Sequence, residues 1–163
     1  MCLDCHRLGQ PRIEAPILEG QQRDYLGNQL QRFKDRHRDS FPMSSVVAGM
    51  DVAMLAGLAD DLAARQWPAL RMSVAQDAVA RGRERAASMA CDSCHGAAFM
   101  GSGDIPRLAG QHPGYLGRQL AAMAAERRYH PPSGTGAPLS RLTPADIEAL
   151  AAHLHAAGAS PER

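Results

Sequence analysis

The sequence predicts an all-helical protein built from two tandem halves. Three observations carry this: a five-residue motif that occurs twice, a longer block that recurs about ninety positions on, and apolar residues at helical spacing with start and stop signals.

The short motif is C-x-x-C-H, at Cys2, Cys5 and His6 and again at Cys91, Cys94 and His95; these use all four cysteines of the 163-residue chain. A disulfide framework would scatter its cysteines. A thioredoxin-type redox pair needs a βαβ pattern, which this sequence does not show. A four-cysteine zinc site pairs its halves about 15–20 residues apart, far less than the stretch between Cys5 and Cys91. Covalent attachment of a c-type haem is the reading that remains. Two thiols must reach two vinyl-derived carbons on one porphyrin edge while the next side chain falls beneath the iron. One helical turn does this, and makes His6 and His95 the proximal imidazole ligands.

Behind each motif the sequence repeats. Pro16, Leu18, Gly20, Gln21, Tyr25, Leu26, Gly27, Gln29 and Leu30 recur ninety positions on as Pro106, Leu108, Gly110, Gln111, Tyr115, Leu116, Gly117, Gln119 and Leu120. Farther along, "MDVAMLAGLADDLAA" parallels "LTPADIEALAAHLHA", which makes the chain a tandem duplication.

The elements follow in order. A middle helix in each half turns Leu26, Leu30 and Phe33, or Leu116, Leu120 and Met123, inward. A terminal helix of the first half is capped by Asp51 and buries Leu55, Leu58 and Leu62. "RQWPALRMSVAQ" carries a proline and no strong period, so the boundary falls near Ala69. "QDAVARGRERAASMA" reads as a helix leading into the second motif. The last helix starts at Thr143 with Pro144 in its first turn, buries Ile147, Leu150, Ala151 and Leu154, and stops at Gly158.

Composition excludes other classes. A formal charge of +1 gives no global field for nucleic acid or acidic membranes. No apolar run approaches the roughly 18 residues of a membrane helix. One Trp, three Tyr and three Phe are few for two small cores, so another group is expected to fill them.

C-x-x-C-H, then P-x-L-x-G-Q, then Y-L-x-x-Q-L, then an amphipathic helix resembles the dihaem cytochrome c4 family over essentially the whole chain. The resemblance implies an all-α fold of two tandem class I cytochrome c domains, 1–69 and 70–163, each wrapped around one of two covalently attached haem c groups. It implies a periplasmic electron carrier, not an enzyme. Its redox protein partners would be a quinol-oxidising complex or dehydrogenase on one side and a terminal oxidase or reductase on the other. A subunit role in a larger redox complex is a further expectation. The resemblance also implies a helix before each attachment motif. Only Met1 precedes the first, with no secretory signal, so a misplaced start or processing is expected.

The family's pattern places an axial methionine seven residues before the residue that opens the terminal helix. In the first half this implies Met43; its alternative role is a core gap-filler, and His37 is a more remote ligand. In the second half the same count reaches Thr135, or Ser133 when aligned from "ERRYH", and no methionine follows Met123. His130 is the nearest replacement. Three readings stay open: a bis-histidine haem, an open sixth position able to bind small ligands or do catalysis, or His130 as a solvated loop residue. The open position carries the alternative function, a ligand-binding or catalytic haem subunit. Tyr25, Tyr115, Gln21 and Gln111 are expected at haem propionates, at an interface or in packing. Arg23 and Arg107 are candidate propionate partners. His112, His153 and His155 are expected on the surface, and "FKDRHR" as a solvated face.

Overall fold

The computed structural model describes residues 2–6, 15–38, 40–132 and 138–159. Eight α-helices are present among them: α1 (Cys2–His6), α2 (Arg23–Lys34), α3 (Met43–Val47), α4 (Val52–Ala63), α5 (Gln76–Ser88), α6 (Asp92–His95), α7 (Pro113–Ala124) and α8 (Pro144–Ala156). Short 3-10 turns cover Leu139–Arg141 and Ala157–Ala159. The described residues hold no strand, only an isolated bridge between Ser102 and Ile105. No described helix is long and apolar enough to cross a membrane.

Packing divides the chain into two compact units. The first comprises residues 1–17, 69–101 and 107–163; the second comprises 18–68 and 102–106. The attachment segment of the first repeat therefore packs with the first unit, while the rest of that repeat forms the second.

In the first unit α8 is the central element, and both α5 and α7 pack on it. Its core joins Ala86, Met89, Phe99, Ala109, Leu116, Leu142, Leu150, Ala151 and Leu154. The α5–α8 crossing is close because Gly82 has no side chain: a Cβ there would sit 2.0 Å from the Ala149 carbonyl oxygen. Thr143 caps α8 by a full capping box. Its hydroxyl accepts from the Asp146 N–H at 3.1 Å, and the Asp146 carboxylate accepts from the Thr143 N–H at 2.9 Å.

In the second unit, α2 and α4 close over Leu26, Ala59 and Leu62, while Phe33, Val47 and Leu55 form a neighbouring cluster. Asp51 caps α4 by accepting from the Met54 N–H at 2.8 Å.

A shared hydrogen bond marks the duplication. Gly20 N–H donates to the Leu62 carbonyl at 2.9 Å, and Gly110 N–H to the Leu154 carbonyl at 3.1 Å. Both glycines take a left-handed φ, +68° and +75°, which a side chain rarely adopts.

Several expectations are corrected here. Leu58 is only half-buried and lines an open apolar groove with Met50, Met54 and Gly57; the small Ala59 takes the inward place against α2. Leu30, Leu120 and Met123 are half-buried. Gly158 stands at the expected helix stop, since α8 ends at Ala156 with Ala157 as its cap and a 3-10 turn follows. It also serves close approach, since a Cβ on Gly158 would meet Gly110 Cα at 2.3 Å.

Of the three histidines expected on the surface, His155 is buried and the other two are half-buried with defined partners. His155 is 4% exposed; its Nδ1–H donates to the Gln111 carbonyl at 2.9 Å, and its Nε2 accepts from the Met72 N–H at 3.3 Å. His153 is half-buried with its ring edge-on to Phe99 at 5.4 Å between centroids. His112 caps α7 by accepting from the Gly114 N–H at 3.1 Å.

Candidate functional site

Each C-x-x-C-H motif forms a single helical turn. In α1, Cys2 and His6 are half-buried and Cys5 is exposed; Cys2 and Cys5, three apart, share a face. The His6 Nδ1–H donates to the Pro16 carbonyl oxygen at 2.8 Å. That bond fixes the tautomer and leaves Nε2 with its lone pair. Burial lowers the His6 pKa, and the Pro16 bond opposes this more weakly. Neutral imidazole is the form that binds a metal.

The segment after this motif is pinned by Gln111. The Ile17 N–H donates to Gln111 Oε1 at 2.8 Å, and Gln111 Nε2 donates back to the Ile17 carbonyl at 3.0 Å. Ile17 is 2% exposed and Gln111 3%, so both partners are satisfied away from water. Gln111 thus acts on the main chain behind the motif.

The second motif follows α5 directly. Cys91 N–H donates to the Ala86 carbonyl at 3.1 Å, and His95 N–H to the Cys91 carbonyl at 3.1 Å. Gly96, at φ +77°, ends the turn. Cys91 and His95 are half-buried and Cys94 is exposed.

All four cysteines are free thiols. Burial first, and the Asp92 charge second, push the Cys91 thiol up, which favours the neutral thiol over a metal-binding thiolate. Among the described residues no three His, Cys, Asp or Glu side chains converge as a metal cluster. Paired thiols beside one imidazole on a single turn fit haem attachment and not a zinc cage.

Met43 opens α3 and is half-buried against the Phe33, Val47 and Leu55 cluster, with Met50 beside the same cluster. His37 is exposed beyond the end of α2. His130 lies on the exposed stretch after α7, yet its ring faces His95, with centroids 6.3 Å apart and planes at 30°. Its Nδ1–H donates to the Pro131 carbonyl at 2.6 Å. Ser133 and Thr135 lie outside the described residues.

Of the candidate propionate partners, Arg23 is exposed and bound to Asp60 at 2.7 Å and Asp24 at 3.2 Å. Those partners raise its pKa, the Asp60 hydrogen bond most. Arg107 is half-buried and donates to the Ala109 carbonyl at 2.9 Å; burial lowers its pKa. Tyr25 and Tyr115 are both half-buried.

Sequence reasoning missed two supports of this site. Gln111 as a main-chain clamp and His155 bridging Met72 to Gln111 join residues 94, 83 and 44 positions apart. Only the repeated Gln in both halves signalled the first, and nothing in the local pattern signalled the second.

Known proteins resemble this arrangement. The cytochrome c family model matches residues 79–157. A cytochrome c-552 of Acidithiobacillus ferridurans is 31% identical over 133 residues, 73% of this chain and 58% of that protein, so the match spans less than two thirds of that relative. A thiosulfate dehydrogenase electron acceptor of Thiomonas intermedia (strain K12) is 29% identical over 175 aligned positions, 99% of this chain and 81% of that one. The structure of cytochrome c4 from Acidithiobacillus ferrooxidans superposes with a TM-score of 0.81 at 28% identity, covering 94% of this chain and 97% of the other.

Proposed function

We propose that this chain is a dihaem c-type cytochrome of the cytochrome c4 kind, which carries two covalent haem c groups and passes electrons between protein partners. The observation that carries the reading is the likeness to cytochrome c4 over 94% of the chain, in a sequence that holds two attachment motifs. The ligand-binding or catalytic alternative is not favoured, since the named relatives are cytochromes and an electron acceptor.

Cys2 and Cys5 would hold one haem with His6 as proximal ligand, and Cys91 and Cys94 the other with His95. Bound there, each iron supplies a one-electron couple. The protein's own part is orientation and exclusion of water. Pro16 fixes the His6 tautomer, and the Phe99, Leu116 and Leu150 cluster, against which Cys91 packs, would keep water from that side of the second site. Met43 would complete the first site, and a thioether opposite histidine raises the potential. The two repeats, 1–69 and 70–163, would each contribute the attachment motif of one haem.

The named electron acceptor of a thiosulfate dehydrogenase, similar along nearly the whole chain, supports a dehydrogenase as donor. A quinol-oxidising complex is a second donor class, with a terminal oxidase or reductase downstream. Covalent haem attachment outside the bacterial cytoplasmic membrane supports a periplasmic location.

The test is haem quantitation by pyridine haemochrome and denatured mass, followed by a redox titration. Two thioether-linked haems per chain titrating at two midpoints are expected. A single haem, or none retained on denaturation, overturns the reading.

A further inference from the structure

We infer that His130 is the axial ligand opposite His95, so that the second haem is held between two imidazoles while the first keeps a thioether. This rests on the reading of the second motif as a haem site.

The sequence removes the usual donor. With the Y-L-x-x-Q-L blocks aligned, Met43 falls on Ser133, and no methionine follows Met123. A hydroxyl is a poor substitute for a thioether at haem iron, so a sixth protein ligand, if the site has one, comes from a neighbouring position.

The backbone delivers His130 from an anchored start. Both repeats leave the middle helix by the same turn: Arg36 and Glu126 take φ +56° and +55°. Arg38 then donates from its guanidinium to Gln29 Oε1 at 2.7 Å, and Arg128 donates likewise to Gln119 Oε1. The Arg127 and Arg128 N–H groups both donate to the Ala122 carbonyl, at 2.8 and 3.2 Å. His130 stands two residues beyond this anchor, and Pro131 and Pro132 behind it restrict the backbone further.

The ring has the tautomer and the spacing that a ligand needs. Its Nδ1–H is committed to the Pro131 carbonyl at 2.6 Å, which leaves Nε2 as the nitrogen with a lone pair. The same device operates at His6, whose Nδ1–H donates to Pro16. An imidazole nitrogen sits about 2 Å from a bound metal ion, with the ring centroid about 1 Å farther back, so two imidazoles sharing one metal have centroids about 6 Å apart. The observed 6.3 Å matches that spacing. Ring atoms in direct contact would approach to about 3.5–4.0 Å, so a closed face-to-face stack would bring the centroids nearer than observed. A loop histidine with no role has no reason to stand at this distance from the one side chain that must bind iron.

His130 is exposed, so its replacement leaves the core of the unit intact. The test uses the haem-loaded chain and its His130→Ala variant, each reduced and exposed to carbon monoxide, with haem content measured first. In the unsubstituted protein neither haem binds carbon monoxide rapidly. In His130→Ala one of the two binds it at once, and added imidazole restores the six-coordinate spectrum and blocks the binding. The lower of the two midpoint potentials is the one that moves. Rapid binding to one of two haems before substitution overturns the inference and leaves the dihaem reading standing. So does a variant with an unchanged spectrum and no gained binding. Fewer than two haems per chain overturns both.

Discussion

The two segments that leave the middle helices begin alike and end differently. Each makes a left-handed turn, at Arg36 or Glu126, and each ties an arginine back to a glutamine nine residues earlier. The first then runs into α3 with Met43 at its start, packed on Phe33, Val47 and Leu55. The second presents His130 within two residues of its anchor and continues through two prolines. Duplication preserved the part that aims the segment, while the residue that follows, Met43 in one half and His130 in the other, differs; on the proposed ligation it would supply the donor atom. The anchor is a scaffold property, whereas the donor sets the potential. A dihaem carrier with unequal ligands holds its two sites at different potentials and gives an electron a preferred resting place.

The strongest way to break that contrast is at Met43. Met43→Ala should abolish the near-infrared methionine–iron charge-transfer band and lower the potential of the first haem, while His130→Ala leaves that band in place. Near-infrared absorption and a redox titration check it. A Met43→Ala protein that keeps the band would return Met43 to the role of gap-filler and remove the asymmetry.

Next in size is a contrast in helix packing. Gly82→Ala forces a methyl group to within 2.0 Å of the Ala149 carbonyl oxygen, where two helical backbones meet. Overpacking of this kind costs about 3 kcal/mol or more, and thermal unfolding followed by circular dichroism should drop by several degrees at unchanged haem content. Gly27→Ala in α2 places its methyl 3.9 Å from the Ala59 Cβ, an ordinary contact. There the gain in helix propensity, about 0.5–1 kcal/mol, should dominate and raise the midpoint. Equal effects would show that the α5–α8 crossing yields more easily than its geometry implies.

Most of the frame was legible in the sequence because its signals are local. C-x-x-C-H fixes the attachment chemistry within five residues, and Asp51 and Thr143 cap the helices where expected. The failures have a shared cause, since each depends on what arrives from far along the chain. Leu58 fits the helical period of α4 as well as Ala59 does, but α2 approaches closely enough to prefer the smaller side chain. His155 looks polar on a late turn of α8, yet the Met72 amide and the Gln111 carbonyl satisfy both ring nitrogens and let it be buried. Gly158 was legible as a helix stop, but the close approach of Gly110 that its missing side chain also permits was not. At the site, spacing alone left His130 between ligand and bystander; its 6.3 Å distance to the His95 ring is the observation on which the ligand proposal rests.

The smallest difference lies in how the two terminal helices begin. Asp51 offers α4 one bond, to the Met54 N–H, whereas Thr143 and Asp146 exchange bonds in both directions at α8. Loss of a cap costs about 1 kcal/mol, so Thr143→Ala and Asp51→Ala should each destabilise by roughly that amount, measured by denaturant unfolding. They should part on acidification. The Thr143 N–H first, then its hydroxyl, then more weakly the Arg85 charge, hold the Asp146 carboxyl below its ordinary value of 3.8. A carboxylate with a folded pKa below its unfolded one contributes stability that is complete above about pH 4 and lost as pH falls through the folded value. Thr143→Ala removes one of the bonds that depress this pKa and so should flatten the acid limb of the stability curve. Asp51→Ala leaves the Asp146 bonds intact and should retain that slope. Parallel acid limbs in the two variants would mean that the Thr143 N–H alone sets the Asp146 pKa, and the hydroxyl half of the capping box would contribute nothing to the difference between the helices.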